Sequence, residues 1–338
     1  MNVAAQALVY PFVTGRLPWP KSGRVCVLHA EELPGWQGVP FDCVQTFKPL
    51  ADTVGRRYGN CSPEMPAESG VYDWVLILPP RARAWSRALL AEAVRLAKPD
   101  GQILVSASND EGGKSHAADL KQLLGEVVET SKHKCRIAWG NNTPAAATLA
   151  AQWRAAAAPK QRADGFWTQA GVFSADGIDP ATAMLIAALP STLKGSVADF
   201  GAGAGVIAHH IVSHCPKVTG VSLYEAEARA LDMARKNLSD SPVPCTFHWV
   251  DVTQGLQGRF DVVVSNPPFH ATGKDGLPAL GQSFIDVASA HLAPHGELWL
   301  VANAHLPYEG VLAQRFRSVE TVQAARNYKV IRATGPNK

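Results

Sequence analysis

The chain has 338 residues, a length that suggests about two domains, each able to bury its own core. Hydrophobic residues make up 46% and charged residues 18%, which excludes a disordered chain, and no apolar run approaches the ~20 residues of a membrane span. Six cysteines are scattered without a CxxC pair, as is typical of free thiols in a cytosolic protein. We therefore expect a cytoplasmic protein with no metal site and no membrane partner.

The basic residues are unevenly distributed. Residues 1–165 carry a net charge of +4 and residues 166–338 a net charge of −1, which together give the overall +3. Part of the excess lies in two short clusters, Arg81, Arg83 and Arg87, and Lys132, Lys134 and Arg136. Such clusters are common on solvated faces, and they are also the footprint of a surface that binds RNA phosphates, so both interpretations stay open here.

The second half of the chain alternates strand and helix patterns. In chain order we predict strands at 196–200, 217–223, 246–252, 260–269 and 296–304, helices at 206–215, 225–238 and 283–292, and a terminal antiparallel hairpin. This alternation favours an α/β fold with a parallel sheet and helices on both faces. In such sheets ligands bind at the carboxyl ends of the strands.

The first half contains a weaker copy of the same pattern. Residues 72–80 (YDWVLILPP) resemble 260–268 (FDVVVSNPP), and residues 96–110 resemble 292–305 in the same order. The first copy has one glycine in 24–36, where a glycine-rich turn is expected, and Leu78 where the second copy has Asn266. We predict a duplicated fold, with a degenerate domain at 1–142, an Ala-rich linker at 143–164 and a catalytic domain at 165–338.

A glycine-rich turn follows the first strand of the second copy. Asp199 ends that strand, and Gly201, Gly203 and Gly205 follow it before a helix. Glycines there let the backbone turn sharply and approach a ligand without a clash at Cβ. A tight strand–helix turn needs the same residues, so the motif alone is weak evidence for a nucleotide site.

Two acids strengthen the prediction of a nucleotide site. Glu225 ends the second strand, where a carboxylate accepts hydrogen bonds from a ribose diol. Asp251 ends the third strand, where it can accept a hydrogen bond from an adenine amino group. A dinucleotide-dependent dehydrogenase would share these features, but it would not explain the next motif.

The motif Asn266-Pro267-Pro268-Phe269 follows the fourth strand. The amide oxygen of Asn266 and the carbonyl of Pro267 are acceptors held by two fixed φ angles, and together they can bind the two hydrogens of a planar amino group. Phe269 offers a flat face on which a flipped base can stack.

The glycine turn and the NPPF motif together resemble the signature of class I S-adenosylmethionine-dependent methyltransferases that act on planar amino nitrogens. Residues 171–190, 258–270 and 296–308 resemble the bacterial 16S rRNA guanine-N2 methyltransferase (RsmC) family. The resemblance implies two tandem Rossmann-like class I methyltransferase domains, of which the N-terminal one is degenerate. It covers residues ~165–334 most strongly.

The resemblance also implies roles for individual residues. Asn266, Pro267, Pro268 and Phe269 would hold the guanine amino group; the cofactor S-adenosylmethionine would be bound by Asp179, Asp199, Gly201, Gly203, Gly205, Glu225, Asp251 and Asn266. Asp179 and Pro180 are also the expected N-cap and first residue of a helix. The family commonly has Cys or Ser at the position of Ala202 and Asp at that of Glu225.

The function implied is methyl transfer from S-adenosylmethionine to N2 of a guanine in 16S rRNA. The expected partner is 16S rRNA or the 30S subunit, and the expected state is a monomer. The N-terminal domain would bind RNA through Lys132, Lys134, Arg136, Arg81 and Arg83 or support the catalytic domain. The alternatives are a 23S rRNA guanine-N2 methyltransferase, a methyltransferase of adenine or of protein glutamine, and a non-catalytic RNA-binding assembly factor.

Overall fold

A computed structural model of the chain describes residues 2–59, 61–143, 147–268 and 276–337, apart from the side chains of 276–278. The chain folds into two compact units, unit 1 at Met1–Pro159 and unit 2 at Lys160–Lys338. The division after Pro159 falls inside the segment for which the sequence predicts a linker. None of the helices in these described ranges is long and apolar enough to cross a membrane.

Unit 1 consists of a sheet with flanking helices. Its elements are α1 (Val3–Val13), β1 (Val25–Leu28), β2 (Phe41–Val44), α2 (Lys48–Tyr58), β3 (Cys61–Ser62), β4 (Tyr72–Ile77), α3 (Arg83–Leu96), β5 (Ala97–Ser108), α4 (Gly113–Leu124), β6 (Val128–Lys132), β7 (Cys135–Asn141) and α5 (Ala147–Ala157). The Ala-rich segment forms α5, and Ala150 and Trp153 of α5 belong to the core of unit 1.

Unit 2 begins with a short hairpin and continues with the α/β pattern predicted from the sequence. Its elements are β8 (Lys160–Gln161), β9 (Trp167–Thr168), α6 (Pro180–Ala188), β10 (Lys194–Phe200), α7 (Val206–His214), β11 (Lys217–Glu225), α8 (Ala228–Asn237), β12 (Cys245–Trp249), β13 (Phe260–Ser265), α9 (Gly276–His291), β14 (Leu292–Asn303), α10 (Glu309–Arg315), β15 (Phe316–Ala324) and β16 (Tyr328–Pro336).

Both units contain a seven-stranded sheet of the same topology. The strand order is β3-β2-β1-β4-β5-β7-β6 in unit 1 and β12-β11-β10-β13-β14-β16-β15 in unit 2. In each sheet the first five strands are parallel and the last two form an antiparallel hairpin. The shared order confirms the predicted duplication of one α/β fold.

The central strands of unit 2 are apolar because the sheet is covered on both faces. Val262 and Val264 of β13 pack into a cluster with α6, α7 and α8, whereas Val263 packs into a second cluster with α9. A strand buried on both faces needs a continuous apolar run rather than an alternating one. This explains the sequence FDVVVS at β13.

The register of unit 2 brings three strand ends together. Phe200, the last residue of β10, pairs with Tyr224 of β11 and with Ser265 of β13. The Ser265 hydroxyl donates a hydrogen bond of 2.8 Å to the Phe200 carbonyl. The glycine turn, Glu225 and Asn266 each follow one of these paired residues, so all three lie at one edge of the sheet.

The same register identifies the counterparts in unit 1. Leu28 of β1 pairs with Val44 of β2 and with Ile77 of β4, so Gln45 lies where unit 2 has Glu225, and Leu78 lies where it has Asn266. The amide of Ala30 donates to Val44 just as that of Ala202 donates to Tyr224. Counting from these matched alanines, Glu31 of unit 1 lies at the position of Gly203. Counting back from the paired strand ends, Val27 lies at the position of Asp199.

Candidate active site

The glycine turn of unit 2 depends on left-handed backbone at all three glycines. Gly201, Gly203 and Gly205 have φ of +73°, +55° and +81°, a region that L side chains rarely adopt. A Cβ at Gly203 would meet no atom of the described part of the chain within 4 Å, so this glycine faces open space there. A Cβ at Gly205 would lie 3.1 Å from Ala234 on α8. Close packing of α7 on α8 therefore explains Gly205, for which the sequence predicts a ligand contact.

A cleft opens at the glycine turn. Four of the residues predicted to bind cofactor or substrate line it: Asp179, Gly201, Gly203 and Asn266. They come from three separate parts of the chain, the start of α6, the turn after β10 and the end of β13. The structure thus brings together groups that the sequence places up to 87 residues apart.

Glu225 lies beside this cleft at the end of β11. Its Oε2 accepts a hydrogen bond of 2.7 Å from the amide of Gly203, and its Oε1 accepts one of 2.8 Å from the amide of Glu227. Burial raises the pKa of the Glu225 carboxyl, and the two amides partly offset that shift. The carboxylate is held against the glycine turn, although it does not itself line the cleft.

Asp251 occupies a different setting from the other predicted site residues. It follows β12 and caps a short 3-10 turn at Val252–Gln254, where its Oδ1 accepts from the amide of Thr253 at 2.9 Å. It does not line the cleft. The structure therefore shows a local capping role, and contact with adenine stays a prediction.

Asp199 lies beneath the glycine turn with its side chain fully buried. Neither carboxyl oxygen has a hydrogen-bond partner in the part of the chain that the structure describes. Burial and the negative charge of Glu225 raise the pKa of Asp199 to about 8, and the nearby amide of Ala208 partly offsets this shift. The acid is therefore largely neutral at pH 7.

This pKa predicts a pH-dependent stability. Because the folded state holds a proton on Asp199 that the unfolded chain has lost, the free energy of unfolding should fall as pH rises from about 4 to about 8. Asp199→Asn cannot ionise and should remove about 3.5 kcal/mol of the fall between pH 5 and pH 8. Denaturant unfolding of both proteins at several pH values measures this.

Asp240 is exposed, and Asp240→Asn serves as the control. This variant should leave the pH dependence of the free energy of unfolding unchanged. An identical pH dependence in the wild type and in Asp199→Asn would contradict a buried, neutral acid at this position.

Asn266 follows β13, and its amide has a defined orientation. Its Nδ2 donates to Oδ2 of Asp179 at 3.2 Å and to the hydroxyl of Thr182 at 2.8 Å. Its Oδ1 is buried and has no partner among the residues that the structure describes. Pro267 is buried and Pro268 exposed. Phe269, the last residue of the motif, lies outside the described residues.

Asp179 begins α6 as the sequence predicts. Its side chain accepts a hydrogen bond from the amide of Thr182 at 2.9 Å, and Pro180 occupies the first helical position. The predicted helix start is confirmed. The contact between Asp179 and Asn266 was not predicted, because nothing in the spacing of the two residues indicates it.

Other residues of the cleft were missed by the sequence interpretation. Most come from the hairpin of β8 and β9 and the loop after it: Arg162, Phe166, Trp167, Thr168, Phe173 and Ser174. Arg162 is held by both carboxylate oxygens of Asp164 and donates to the carbonyl of Ser174 at 3.1 Å. An Asp-Gly turn at 164–165 was the available signal for a hairpin, but it does not indicate what the hairpin covers.

The basic residues predicted to bind RNA lie in unit 1 at the carboxyl ends of its parallel strands. Lys132 and Lys134 flank the tip of the β6–β7 hairpin, and the carbonyl of Lys134 accepts from Asn109 after β5 at 2.9 Å. Arg81 lies 3.5 Å from Glu111, which belongs to the same turn after β5 as Asn109, and the Arg81 side chain is 77% exposed. We name Arg81, Lys132 and Lys134 the basic edge of unit 1.

Arg136 and Arg83 are less available than the basic edge. Arg136 is 28% exposed and lies 3.4 Å from Glu129. Arg83 lies 3.5 Å from the buried Asp119, which also binds Arg87. Arg81 also faces an acid, Glu111, but its side chain is 77% exposed, against 62% for Arg83 and 28% for Arg136.

Comparison with known proteins identifies the family. A family model described as methyltransferase small domain matches residues 164–332. The ribosomal RNA small subunit methyltransferase C of Cronobacter sakazakii is 30% identical to this chain, over 90% of this chain and 85% of the relative. The chain belongs to this methyltransferase family. The protein of the same name from Klebsiella pneumoniae is 31% identical, over 78% of this chain and 74% of the relative.

The two-unit architecture of this methyltransferase is also found in a solved structure. The 16S rRNA N2 G1207 methyltransferase (RsmC) of T. thermophilus, in complex with AdoMet and guanosine, superposes with a TM-score of 0.78. The two chains are 25% identical, and the match covers 98% of this chain and 91% of that one. The predicted fold, tandem methyltransferase-like domains, is confirmed.

Proposed function

We propose that this methyltransferase transfers a methyl group from S-adenosylmethionine to N2 of a guanine in the 16S rRNA of the small ribosomal subunit. The observation that carries the proposal is the buried, unpartnered Oδ1 of Asn266, which points to a missing hydrogen-bond donor at the cleft. An exocyclic amino group is such a donor. The relatives named above are small subunit methyltransferases, and the T. thermophilus structure contains both AdoMet and guanosine.

The residues of the cleft fit S-adenosylmethionine. Gly203 leaves open the space that a Cβ would fill, so a ligand can approach its backbone closely. Glu225 supplies a carboxylate next to this glycine, as ribose hydroxyls require. When bound, the cofactor supplies an electrophilic methyl group on a sulfonium.

Catalysis at this site is proposed to rest on positioning. Asn266 Oδ1 accepts a hydrogen bond from the guanine amino group, which orients the nitrogen lone pair away from the protein acceptor and towards the methyl donor. The Pro267 carbonyl is the proposed second acceptor. A strong general base is unnecessary, because the methylated nitrogen becomes acidic and loses its proton after transfer.

The alternative substrates share the amino group that Asn266 would bind. A 23S rRNA guanine, an adenine and a protein glutamine could each present one, so this contact does not separate them. The names of the full-length relatives favour the small subunit. The proposed substrate also places the enzyme in the cytoplasm, where ribosomal subunits assemble.

A transfer assay with tritiated S-adenosylmethionine tests the proposal. The substrates are 16S rRNA, 30S subunits, 23S rRNA and 50S subunits from a bacterial strain that lacks the corresponding enzyme. We expect label in N2-methylguanosine from 16S rRNA or 30S subunits after nuclease digestion and nucleoside analysis. Label in 23S rRNA, or in a methylated adenine, would replace this function with one of the alternatives.

Unit 1 is proposed to bind RNA through its basic edge. A triple variant in which Arg81, Lys132 and Lys134 are all replaced by glutamine should bind RNA more weakly and with a smaller salt dependence. Log K falls as log salt rises, and each lost phosphate contact makes this negative slope less steep by about 1. Methyl transfer should then show a higher KM at unchanged cofactor affinity. Filter binding at several salt concentrations measures the slope.

A charge-matched control separates local contacts from the overall charge. Lys194 and Lys217 begin β10 and β11, and Arg259 precedes β13. All three are exposed and lie at the edge of the unit 2 sheet opposite the cleft. Their triple glutamine variant changes the net charge equally but should leave the salt slope nearly unchanged. Equal effects of the two triple variants would assign the basic edge to a solvated face.

A further inference from the structure

The two hydrogen bonds that fix the Asn266 amide have a consequence for the chemistry of the cleft. A carboxylate such as that of Asp179 can only accept hydrogen bonds, so the Asn266 atom beside it must be the NH₂ group. The hydroxyl of Thr182 lies 2.8 Å from the same nitrogen. Both hydrogens of the NH₂ group are therefore engaged within the protein, which leaves Oδ1 as the unpaired acceptor of a residue that lines the cleft, counted over the described residues.

We propose that Thr182, together with Asp179, is a positioning residue that locks the Asn266 amide with its oxygen towards the substrate. An asparagine amide is nearly symmetric in shape, and a rotation of about 180° exchanges its acceptor for a donor. A flipped Asn266 would present N–H groups and repel an amino group. The lock therefore selects a substrate edge that donates hydrogen bonds. This inference rests on the proposed function.

The start of α6 holds the lock rigidly. The Asp179 side chain caps the helix by accepting from the amide of Thr182, so the same carboxylate oxygen serves the helix end and Asn266. Thr182 is buried, with 7% of its surface exposed. Thr182 also lines the cleft beside Asn266, and loss of its hydroxyl would remove the shorter of the two hydrogen bonds that hold the Asn266 NH₂ group.

Unit 1 provides an internal comparison. Its first helix, α1, is capped by Asn2 as α6 is capped by Asp179. The third helical residue is Ala5 in unit 1 and Thr182 in unit 2, so the hydroxyl is absent from the unit that has Leu78 in place of Asn266. If the hydroxyl served only the start of the helix, it would be expected in both units. It is found only in unit 2, the unit that has Asn266.

Two substitutions at one position test the proposal. Thr182→Val keeps the shape of the side chain and removes the hydroxyl, whereas Thr182→Ser keeps the hydroxyl and removes a methyl group. We expect Thr182→Val to lower kcat for methyl transfer about ten-fold, with the KM for RNA and the affinity for S-adenosylmethionine within about two-fold. Thr182→Ser should recover most of the lost kcat.

The opposite pattern would overturn the proposal. Equal losses in the valine and serine variants would mean that Thr182 acts through packing, and an unchanged kcat in Thr182→Val would mean that the hydroxyl does not matter. Circular dichroism and the melting temperature verify that both variants fold. If Thr182→Val does not fold, the kcat values of Thr182→Ser and Asp179→Asn test the proposal instead. Asp179→Asn retains a helix cap but can present its own NH₂ group to Asn266, so kcat should fall; an unchanged kcat counts against the lock.

A measurement without catalysis separates this proposal from the proposed function. With ¹⁵N-asparagine labelling, the side-chain NH₂ signal of Asn266, assigned from its loss in Asn266→Ala, should exchange slowly with solvent in the wild type and in Thr182→Ser. It should exchange faster in Thr182→Val. Slow exchange in an enzyme that methylates no RNA would retain the lock and refute the function, whereas equal exchange in all three proteins would refute the lock.

Discussion

Asn266→Ala should abolish nearly all methyl transfer while leaving the affinity for S-adenosylmethionine within a few-fold of the wild type. The variant removes Oδ1, an acceptor that has no partner within the described ranges. Loss of a polar contact that acts mainly in the transition state costs roughly 2–4 kcal/mol, or about 30- to 1000-fold in kcat. Single-turnover methylation of 30S subunits measures the loss, and calorimetry measures cofactor binding.

The control for this variant is another asparagine of unit 2. Asn337 follows β16, whose pairing of Thr334 with Glu297 places it at the amino end of β14, away from the cleft. Asn337→Ala should retain full activity. If Asn266→Ala lost cofactor affinity as strongly as it lost activity, Asn266 would belong to the cofactor pocket rather than to the substrate side.

The alternation of strands and helices in unit 2 was predictable because each pattern is local. An apolar run such as FDVVVS at β13 indicates a strand that is buried on both faces of a sheet, and the glycines after β10 indicate a turn with positive φ. The site edge followed from a general property of parallel sheets, namely that the carboxyl ends of neighbouring strands lie together. Asn266 and Glu225 were therefore found by their place after a strand.

Contacts between side chains from distant parts of the chain were not predictable. The bond between Asn266 and Thr182 joins residues 84 positions apart, and no periodicity encodes it. Gly205 is predicted to bind the cofactor as a member of the glycine-rich turn, but only the packing of α7 on α8 shows which atom a Cβ at this position would meet. Spacing identifies a turn without showing the direction in which each residue of the turn faces.

Unit 1 shows how a similar backbone can be closed to the cofactor. Glu31 lies at the position of Gly203, and Asn2, the counterpart of Asp179, donates a hydrogen bond to its carboxylate. Burial raises the pKa of Glu31. A side chain therefore occupies the place that is open in unit 2, and Val27 and Leu78 replace Asp199 and Asn266. We expect unit 1 to bind no S-adenosylmethionine.

Gly203→Val should abolish cofactor binding by the whole chain. Its Cβ would meet no protein atom within 4 Å, so the branched side chain should project into the cleft without forcing the core apart. The φ of +55° adds a strain of roughly 1–2 kcal/mol, which a folded unit tolerates. We expect calorimetry to detect one S-adenosylmethionine per wild-type chain and none per variant chain.

A glycine with a similar positive φ that does not line the cleft controls for the effect of backbone strain alone. Gly15 in unit 1 has φ of +72° and open space at its Cβ, so Gly15→Val should cost similar stability and keep one cofactor per chain. Normal affinity in a folded Gly203→Val protein would remove Gly203 from the cofactor site. A residual equivalent of bound cofactor in that variant would instead locate a site in unit 1, where Glu31 would have to leave its position beside Asn2 to admit the ligand.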